Sequence, residues 1–327
     1  LMVSRQSVGV ALLATPWNFP AAMATRKIGP ALAAGCTVVL KPAHETPFTA
    51  LAIAEILERA GVPRGVVNVV VTDQPGAAVE AMLESGKVRK LSFTGSTRVG
   101  SLLLAQAAKR VINCSMELGG NAPFIVFDDA DIEAAVDGAM IAKMRNGGAA
   151  CTAANRFYVH AKVLDSFTEK FTSRMSALQL GDGLVEGVTL GPLMSKAQQD
   201  RVAKLVEGAV SRGAKVLCGG TATNDPVLAN VAKRDPITDE EIFGPVAPII
   251  SFDDRDDIVA EANRVEHGLV SYVFSGNAAR AMRVAEQLES GMVGFNRGLV
   301  SDPAAPFGGV KASGLGREGA HEGLLAF

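Results

Sequence analysis

Short apolar runs closed by glycine, proline or polar turns alternate with stretches whose apolar residues recur every three to four positions. Val8 to Ala14 reads as a buried strand, an Ala-rich helix follows from about Ala21, and Thr37 to Leu40 is a short strand ending at Lys41-Pro42. Thr46-Pro47 predicts a helix start, a capping hydroxyl with proline at the first helical position, and Gly61-Val62-Pro63 predicts its stop. Val66 to Val71 is a β-branched strand, followed by a helix to about Ser85. Lys90 to Phe93 is a fourth strand, and Thr94-Gly95-Ser96 leads into a helix over Thr97 to Arg110. This βαβα rhythm predicts a parallel sheet with right-handed crossovers, an open doubly wound α/β domain.

From about Glu117 the rhythm restarts. Strands are expected at Pro123 to Phe127, Arg156 to Val159, Val246 to Phe252 and Leu269 to Phe274. Helices are expected at Asp131 to Lys143, Leu164 to Ala177, about Ala197 to Arg212 and Ala278 to Leu288. A second α/β domain with a boundary near 116–120 is the simplest reading. The tail from Pro303 is rich in glycine and has little periodicity. The first residues already enter a strand-like run, so further chain is expected upstream.

Composition narrows the function classes. Hydrophobic residues make up 48% of the 327, enough for two ordinary cores, and the apolar excess fits strands buried on both faces. With 32 basic and 34 acidic residues the net charge is -2, which indicates neither a nucleic-acid nor an anionic-membrane partner. No apolar run reaches the roughly 18–20 residues of a membrane span. Four cysteines without CxxC or Cys/His clustering predict neither a disulfide framework nor a metal site, and point to a reducing cytoplasm. No secretory signal pattern is present.

Cys151 stands out from the other cysteines. It follows Arg145-Asn146-Gly147-Gly148-Ala149-Ala150, a small-residue loop that lets backbone and substrate approach a thiol. A free cysteine is more often a small buried hydrophobe, and that reading holds for Cys36, Cys114 and Cys218. Glu117, in Glu-Leu-Gly-Gly-Asn, can project from a strand end as a general base, although alone it would pass for a surface glutamate before a turn. Asn18, held between prolines in Pro16-Trp17-Asn18-Phe19-Pro20, is a suitable oxyanion donor or merely a turn residue. The strand-end Lys41 can reach ribose hydroxyls, and Phe93-Thr94-Gly95-Ser96 sets a glycine and a hydroxyl where a pyrophosphate can rest on a helix N-terminus. A literal G-x-G-x-x-G at Gly314 to Gly319 follows no predicted strand and is set aside as a dinucleotide fingerprint.

Together these motifs resemble the aldehyde dehydrogenase family. Pro-Trp-Asn-Phe-Pro, Lys41-Pro42, Phe-Thr-Gly-Ser, Glu-Leu-Gly-Gly, the Cys151 loop, Glu240-Glu241-Ile242-Phe243-Gly244-Pro245, Pro306-Phe307-Gly308-Gly309 and Ser313-Gly314-Leu315-Gly316-Arg317-Glu318 follow that family's order. The resemblance implies a doubly wound cofactor domain over 1–116, a catalytic α/β domain over 117–300 and a truncated C-terminal return segment over 301–327. It makes Cys151 the nucleophile, Glu117 the general base and Asn18 an oxyanion donor beside the Cys151 N–H. It also assigns Trp17, Lys41, His44, Gly95, Ser96, Glu241 and Phe243 to the nicotinamide cofactor. Family members are longer, so missing segments are expected, with homo-oligomers formed by the full-length protein. The segment Gly219-Gly220-Thr221 to Pro226-Val227-Leu228 is shorter than the family's usual connection.

Where the family often carries a ribose-binding glutamate, this chain has His44, with Glu45 next to it. The cofactor is therefore expected to be NADP or NAD, leaning towards NADP. Arg26, Arg145 and Ser301 resemble the succinate-semialdehyde dehydrogenase branch, in which two arginines and a serine hold a distal carboxylate. The expected substrate is a short carboxylate-bearing aldehyde, succinate semialdehyde first. The competing readings are another semialdehyde or general aldehyde dehydrogenase, a coenzyme A-acylating relative, a Cys/His hydrolase and a non-enzymatic structural relative. None of His44, His160, His267 and His321 lies in a catalytic context, which weighs against the hydrolase.

Overall fold

Alternate residues of the first strand feed two different cores, as a sheet covered on both faces requires. In the computed structural model, which describes residues 1–220 and 227–327, the chain divides into two compact units, Leu1–Gly119 with Ser301–Phe327, and Gly120–Val300. The shortened connection read between Gly219 and Leu228 falls on 221–226 and lies outside the described residues.

The first unit opens with β1 (Val10–Ala14), α1 (Pro20–Ala33), β2 (Thr37–Lys41), α2 (Pro47–Arg59) and β3 (Val67–Val69). It continues with α3 (Pro75–Glu84), β4 (Val88–Thr94), α4 (Thr97–Ala108) and β5 (Asn113–Glu117). The strands lie parallel in the order β3-β2-β1-β4-β5, so the winding reverses between β1 and β4. Ala11 and Leu13 pack with Ala24, Ile28 and Ala31 of α1 and Ala50 of α2. Leu12 and Ala14 join Val79 and Leu83 of α3 and Leu103 and Ala107 of α4. The sheet is therefore doubly wound, as the periodicity predicts.

Three local details differ from the sequence reading, the first being β5 itself, which is not among the four strands expected in this unit. Proline does sit in the first turn of α2, but the Thr46 hydroxyl does not cap it; that oxygen is buried with no hydrogen-bond partner among the described residues. The β-branched run Val66 to Val71 pairs only over Val67–Val69, because it is an edge strand with a single neighbour, β2.

The second unit contains β6 (Ala122–Val126), α5 (Ile132–Met144), β7 (Ala154–His160), α6 (Leu164–Ser176), α7 (Lys196–Ser211), β8 (Lys215–Cys218) and β9 (Val227–Ala229). After these come β10 (Ala247–Phe252), α8 (Ile258–Asn263), β11 (His267–Gly268), β12 (Val270–Phe274), α9 (Ala278–Gln287) and β13 (Met292–Phe295). Its sheet runs β13-β12-β6-β7-β10-β9-β8, parallel except for β8 on β9. Phe124, Phe157, Phe167, Phe171, Tyr272 and Phe274 fill one face under α5 and α6, while Val202, Val206, Ile258, Ala262, Ala281 and Val284 cover the other.

The tail adds β14 (Val310–Lys311), β15 (Gly314–Leu315) and α10 (Ala320–Leu325) to the first unit. These elements are too short to leave a periodic signal. β15 lies antiparallel on β5, pairing Gly314 with Glu117 and Leu315 with Met116. The late G-x-G-x-x-G is thus an edge strand and its turn. Among the described residues no helix is long and apolar enough to cross a membrane, and no group of His, Cys, Asp or Glu could hold a metal ion.

Candidate active site

In the first unit the predicted positions gather at the carboxyl ends of the parallel strands. Trp17 and Asn18 follow β1, Lys41 ends β2, Gly95 and Ser96 follow β4, and Glu117 ends β5. That end of a doubly wound sheet, at its winding reversal, is where a dinucleotide crevice forms. The Ser96 hydroxyl caps α4 by accepting from Val99 N at 3.4 Å, and Gly95 N donates to the Glu117 carbonyl at 3.0 Å. The Thr94 hydroxyl in the same turn is buried and has no partner among the described residues. The N–H groups in the first turn of α4, just beyond it, suit a phosphate-bearing group. Lys41 is half-buried, and desolvation lowers its pKa against the opposing pull of Glu45. His44 has a side chain 61% exposed and places Nδ1 3.3 Å from the Glu45 carboxylate, so Glu45 is engaged by its neighbour.

Glu117 is 2% exposed, and neither carboxylate oxygen has a hydrogen-bond partner among the described residues. Burial first, and then the nearby Glu318, hold its pKa well above the ordinary carboxylate range, while Lys27, Arg317 and Arg26 pull it down. Lys27, 1% exposed, is ion-paired with Glu318 and donates to Ser92 Oγ at 3.0 Å. The face of β4 and β5 continues as a buried polar stripe, with Lys90 Nζ 2.6 Å from Ser115 Oγ and 2.6 Å from Asn113 Oδ1; desolvation lowers the Lys90 pKa to about 8. Sequence reasoning missed this stripe. Its one legible signal was Lys27, a lysine on the face of α1 that Met23, Ala24, Ile28 and Ala31 bury.

The structure joins two of the predicted carboxylate-binding residues. Arg26 donates from Nη2 to Ser301 Oγ at 3.0 Å, and its guanidinium lies 4.4 Å from the centre of the Phe307 ring. Both residues line a cavity of about 560 Å³ with Phe307, Pro30 and Ala320.

Cys151 belongs to the second unit. Asn146, Gly147 and Gly148 take successive left-handed backbone conformations, which fold the chain back after α5 and carry Cys151 onto a turn before β7. Two glycines show how tightly this loop is seated. A Cβ on Gly120 would lie 2.1 Å from the Cys151 carbonyl oxygen, and one on Gly148 would lie 2.3 Å from the Gly244 carbonyl oxygen. Backbone therefore meets backbone at both points. Gly120 N also donates to Glu241 Oε1 at 3.2 Å. Burial pushes the Glu241 carboxyl up to about 7, against the pull of that N–H, Arg201 and Lys143. Phe243 has a left-handed φ of 52°, in a segment gripped from α7: Gln198 donates to the Phe243 carbonyl at 2.8 Å and Arg201 to the Glu241 carbonyl at 2.7 Å. Gln198 and Arg201 sit at ordinary polar helix positions, so no local pattern marks them. Arg145 donates to Thr152 Oγ1 at 3.1 Å, and all four cysteines are thiols.

The doubly wound sheet, with a helix N-terminus at its winding reversal, marks a nicotinamide-dependent oxidoreductase, and the chain also carries a thiol on a glycine-packed turn and a buried glutamate. The chain belongs to the aldehyde dehydrogenase family, whose model matches residues 1–327. Its similarity extends to the NADP-type succinate-semialdehyde dehydrogenase GabD of Escherichia coli (strain K12), 51% identical over 99% of this chain and 68% of that protein. It is also 50% identical to the glutarate-semialdehyde dehydrogenase of Pseudomonas aeruginosa, over 99% of this chain and 68% of that one. The crystal structure of succinate-semialdehyde dehydrogenase from Burkholderia pseudomallei superposes with a TM-score of 0.97 at 50% identity, covering 99% of this chain and 68% of its own. Family membership sets aside the hydrolase reading, and the cofactor is NAD or NADP.

Proposed function

We propose that this chain oxidises a short aldehyde bearing a distal carboxylate, succinate semialdehyde first and its one-carbon-longer homologue second. The observation that carries the substrate reading is the Arg26–Ser301 pair lining a cavity whose other walls are mostly apolar. A guanidinium in such a setting forms charge-assisted bonds with a carboxylate and is left uncompensated by a neutral chain. Arg145 is the second proposed carboxylate ligand. A cytoplasmic homo-oligomer belongs to the same reading, supported by exposed Phe48, Leu102 and Val111, and light scattering on the purified protein tests the assembly.

In the proposed chemistry the Cys151 thiolate attacks the aldehyde carbon, and Asn18 with the Cys151 N–H stabilises the oxyanion. Trp17, Lys41, His44, Gly95, Ser96, Glu241 and Phe243 would hold the dinucleotide. When bound, its nicotinamide supplies the hydride acceptor. Loss of hydride from the substrate carbon leaves a thioester on Cys151. Glu117 then takes a proton from the water that attacks this thioester, releasing the acid and the thiolate.

Exchanging Arg145 for Gln should lower kcat/KM for succinate semialdehyde on the order of 10²-fold, the cost of one charged contact, and lower it far less for butyraldehyde. Equal losses on both aldehydes would reduce Arg145 to a structural residue. Glu117 sets the pH dependence. Its raised pKa means that the base is protonated, and idle, below a pH that lies above the ordinary carboxylate range. Turnover limited by deacylation should therefore fall as pH drops well before the usual glutamate value of about 4.3. A kcat profile flat down to that value would contradict this environment. Cofactor choice follows from His44: the His44→Glu variant should shift the NADP-to-NAD ratio of kcat/KM towards NAD, because a second carboxylate beside Glu45 repels a 2′-phosphate. A wild type that ignores NADP would show that this position does not read the 2′ group.

A further inference from the structure

Thr152, the residue after the nucleophile, is 4% exposed and is held at both of its polar ends. Its hydroxyl accepts from Arg145 Nη2 at 3.1 Å, and its carbonyl accepts from the Tyr272 hydroxyl at 2.8 Å. Tyr272, on β12, is 1% exposed and has little freedom to move. Its ring lies 5.8 Å from that of Phe124 on one neighbouring strand, and on the other strand a Cβ at Gly294 would come within 2.8 Å of its Cδ1. Burial also raises the phenol pKa, so the hydroxyl stays a donor throughout the working pH range.

We infer that Thr152 is a specificity-positioning residue: its hydroxyl aims the Arg145 guanidinium at the substrate carboxylate, and its Tyr272-anchored carbonyl keeps that aim in register with Cys151. This rests on the proposal that Arg145 binds the distal carboxylate. The physical basis is that a long arginine side chain loses rotamer freedom when it orders. A buried acceptor that fixes one N–H of the planar fork prepays part of that cost and sets the plane in which the guanidinium meets a carboxylate. Placing the acceptor on the residue next to the nucleophile ties the distance between carboxylate and carbonyl carbon to the rigid β12 strand.

The test measures kcat and KM for succinate semialdehyde and butyraldehyde in wild type, Thr152→Val, Thr152→Ser and Tyr272→Phe. Thr152→Val keeps the shape and removes the acceptor. It should raise KM for succinate semialdehyde about 10-fold, with a much smaller change in kcat, and cut the preference over butyraldehyde by about the same factor. Thr152→Ser restores the acceptor and should recover most of the preference. Tyr272→Phe frees the Thr152 carbonyl and should also cut the preference over butyraldehyde, by loosening the register between Arg145 and Cys151; a preference left intact in that variant overturns the anchoring role of Tyr272. A wild-type preference that survives in Thr152→Val overturns the inference, as does failure of Thr152→Ser to recover a lost preference. Wild type without any preference for the carboxylate-bearing aldehyde overturns the substrate proposal, and this inference with it.

Discussion

Cys151→Ala should abolish aldehyde oxidation, a loss on the order of 10⁴-fold or more, because removing a covalent nucleophile leaves only binding and oxyanion stabilisation. Cofactor affinity should be almost unchanged. The chain has one tryptophan, Trp17, in the turn after β1, so quenching of its fluorescence by added NADP reports binding in the inactive variant. The substitution itself is mild. Cys151 is half-buried on a turn fixed by glycine contacts on either side, and alanine matches its neighbours Ala149 and Ala150. Loss of both turnover and cofactor quenching would mean that the variant has misfolded, and Cys151→Ser then separates the two. Retained oxidation in a folded Cys151→Ala variant removes Cys151 from the chemistry.

Glu117→Gln should separate the two half-reactions. Hydride transfer precedes hydrolysis, so rapid mixing should show a burst of reduced cofactor followed by a stall. Steady-state kcat should fall on the order of 10²- to 10⁴-fold, the usual range for a general base. The amide fits a site that already holds Glu117 buried with no hydrogen-bond partner among the described residues, so the backbone bond to Gly95 should persist. Absence of the burst would place Glu117 earlier, in deprotonating Cys151. The two outcomes differ in the first turnover, which steady-state assays cannot see.

The fold was legible wherever elements were long and strongly patterned. The Ala-rich α1, the amphipathic α6 and the β-branched strands of both sheets follow from apolar spacing alone, because each buries a continuous stripe. The tail was not legible. Gly314 and Leu315 pair with only two residues of β5, and a two-residue strand has no period to detect. The glycines of the motifs are explained by close backbone packing, as at Gly120 against the Cys151 carbonyl, while the roles proposed for Cys151, Glu117 and Asn18 came from the resemblance of the whole motif series, each motif being weak alone. Their supports were not legible. Lys27, Glu318, Arg201 and Tyr272 act through partners tens to hundreds of positions away, and a residue type such as arginine on a polar helix carries no trace of the carbonyl it grips.

The central claim is that a carboxylate-bearing aldehyde is oxidised through a thioester on Cys151. Its most direct test is to mix Glu117→Gln with succinate semialdehyde and NADP, quench in acid within the burst, and map the peptides by mass spectrometry. A succinyl group on the Cys151 peptide, absent when the cofactor is omitted, is the expected result. A burst of reduced cofactor with no acyl group on Cys151, or with the group on Cys36, Cys114 or Cys218, would contradict it.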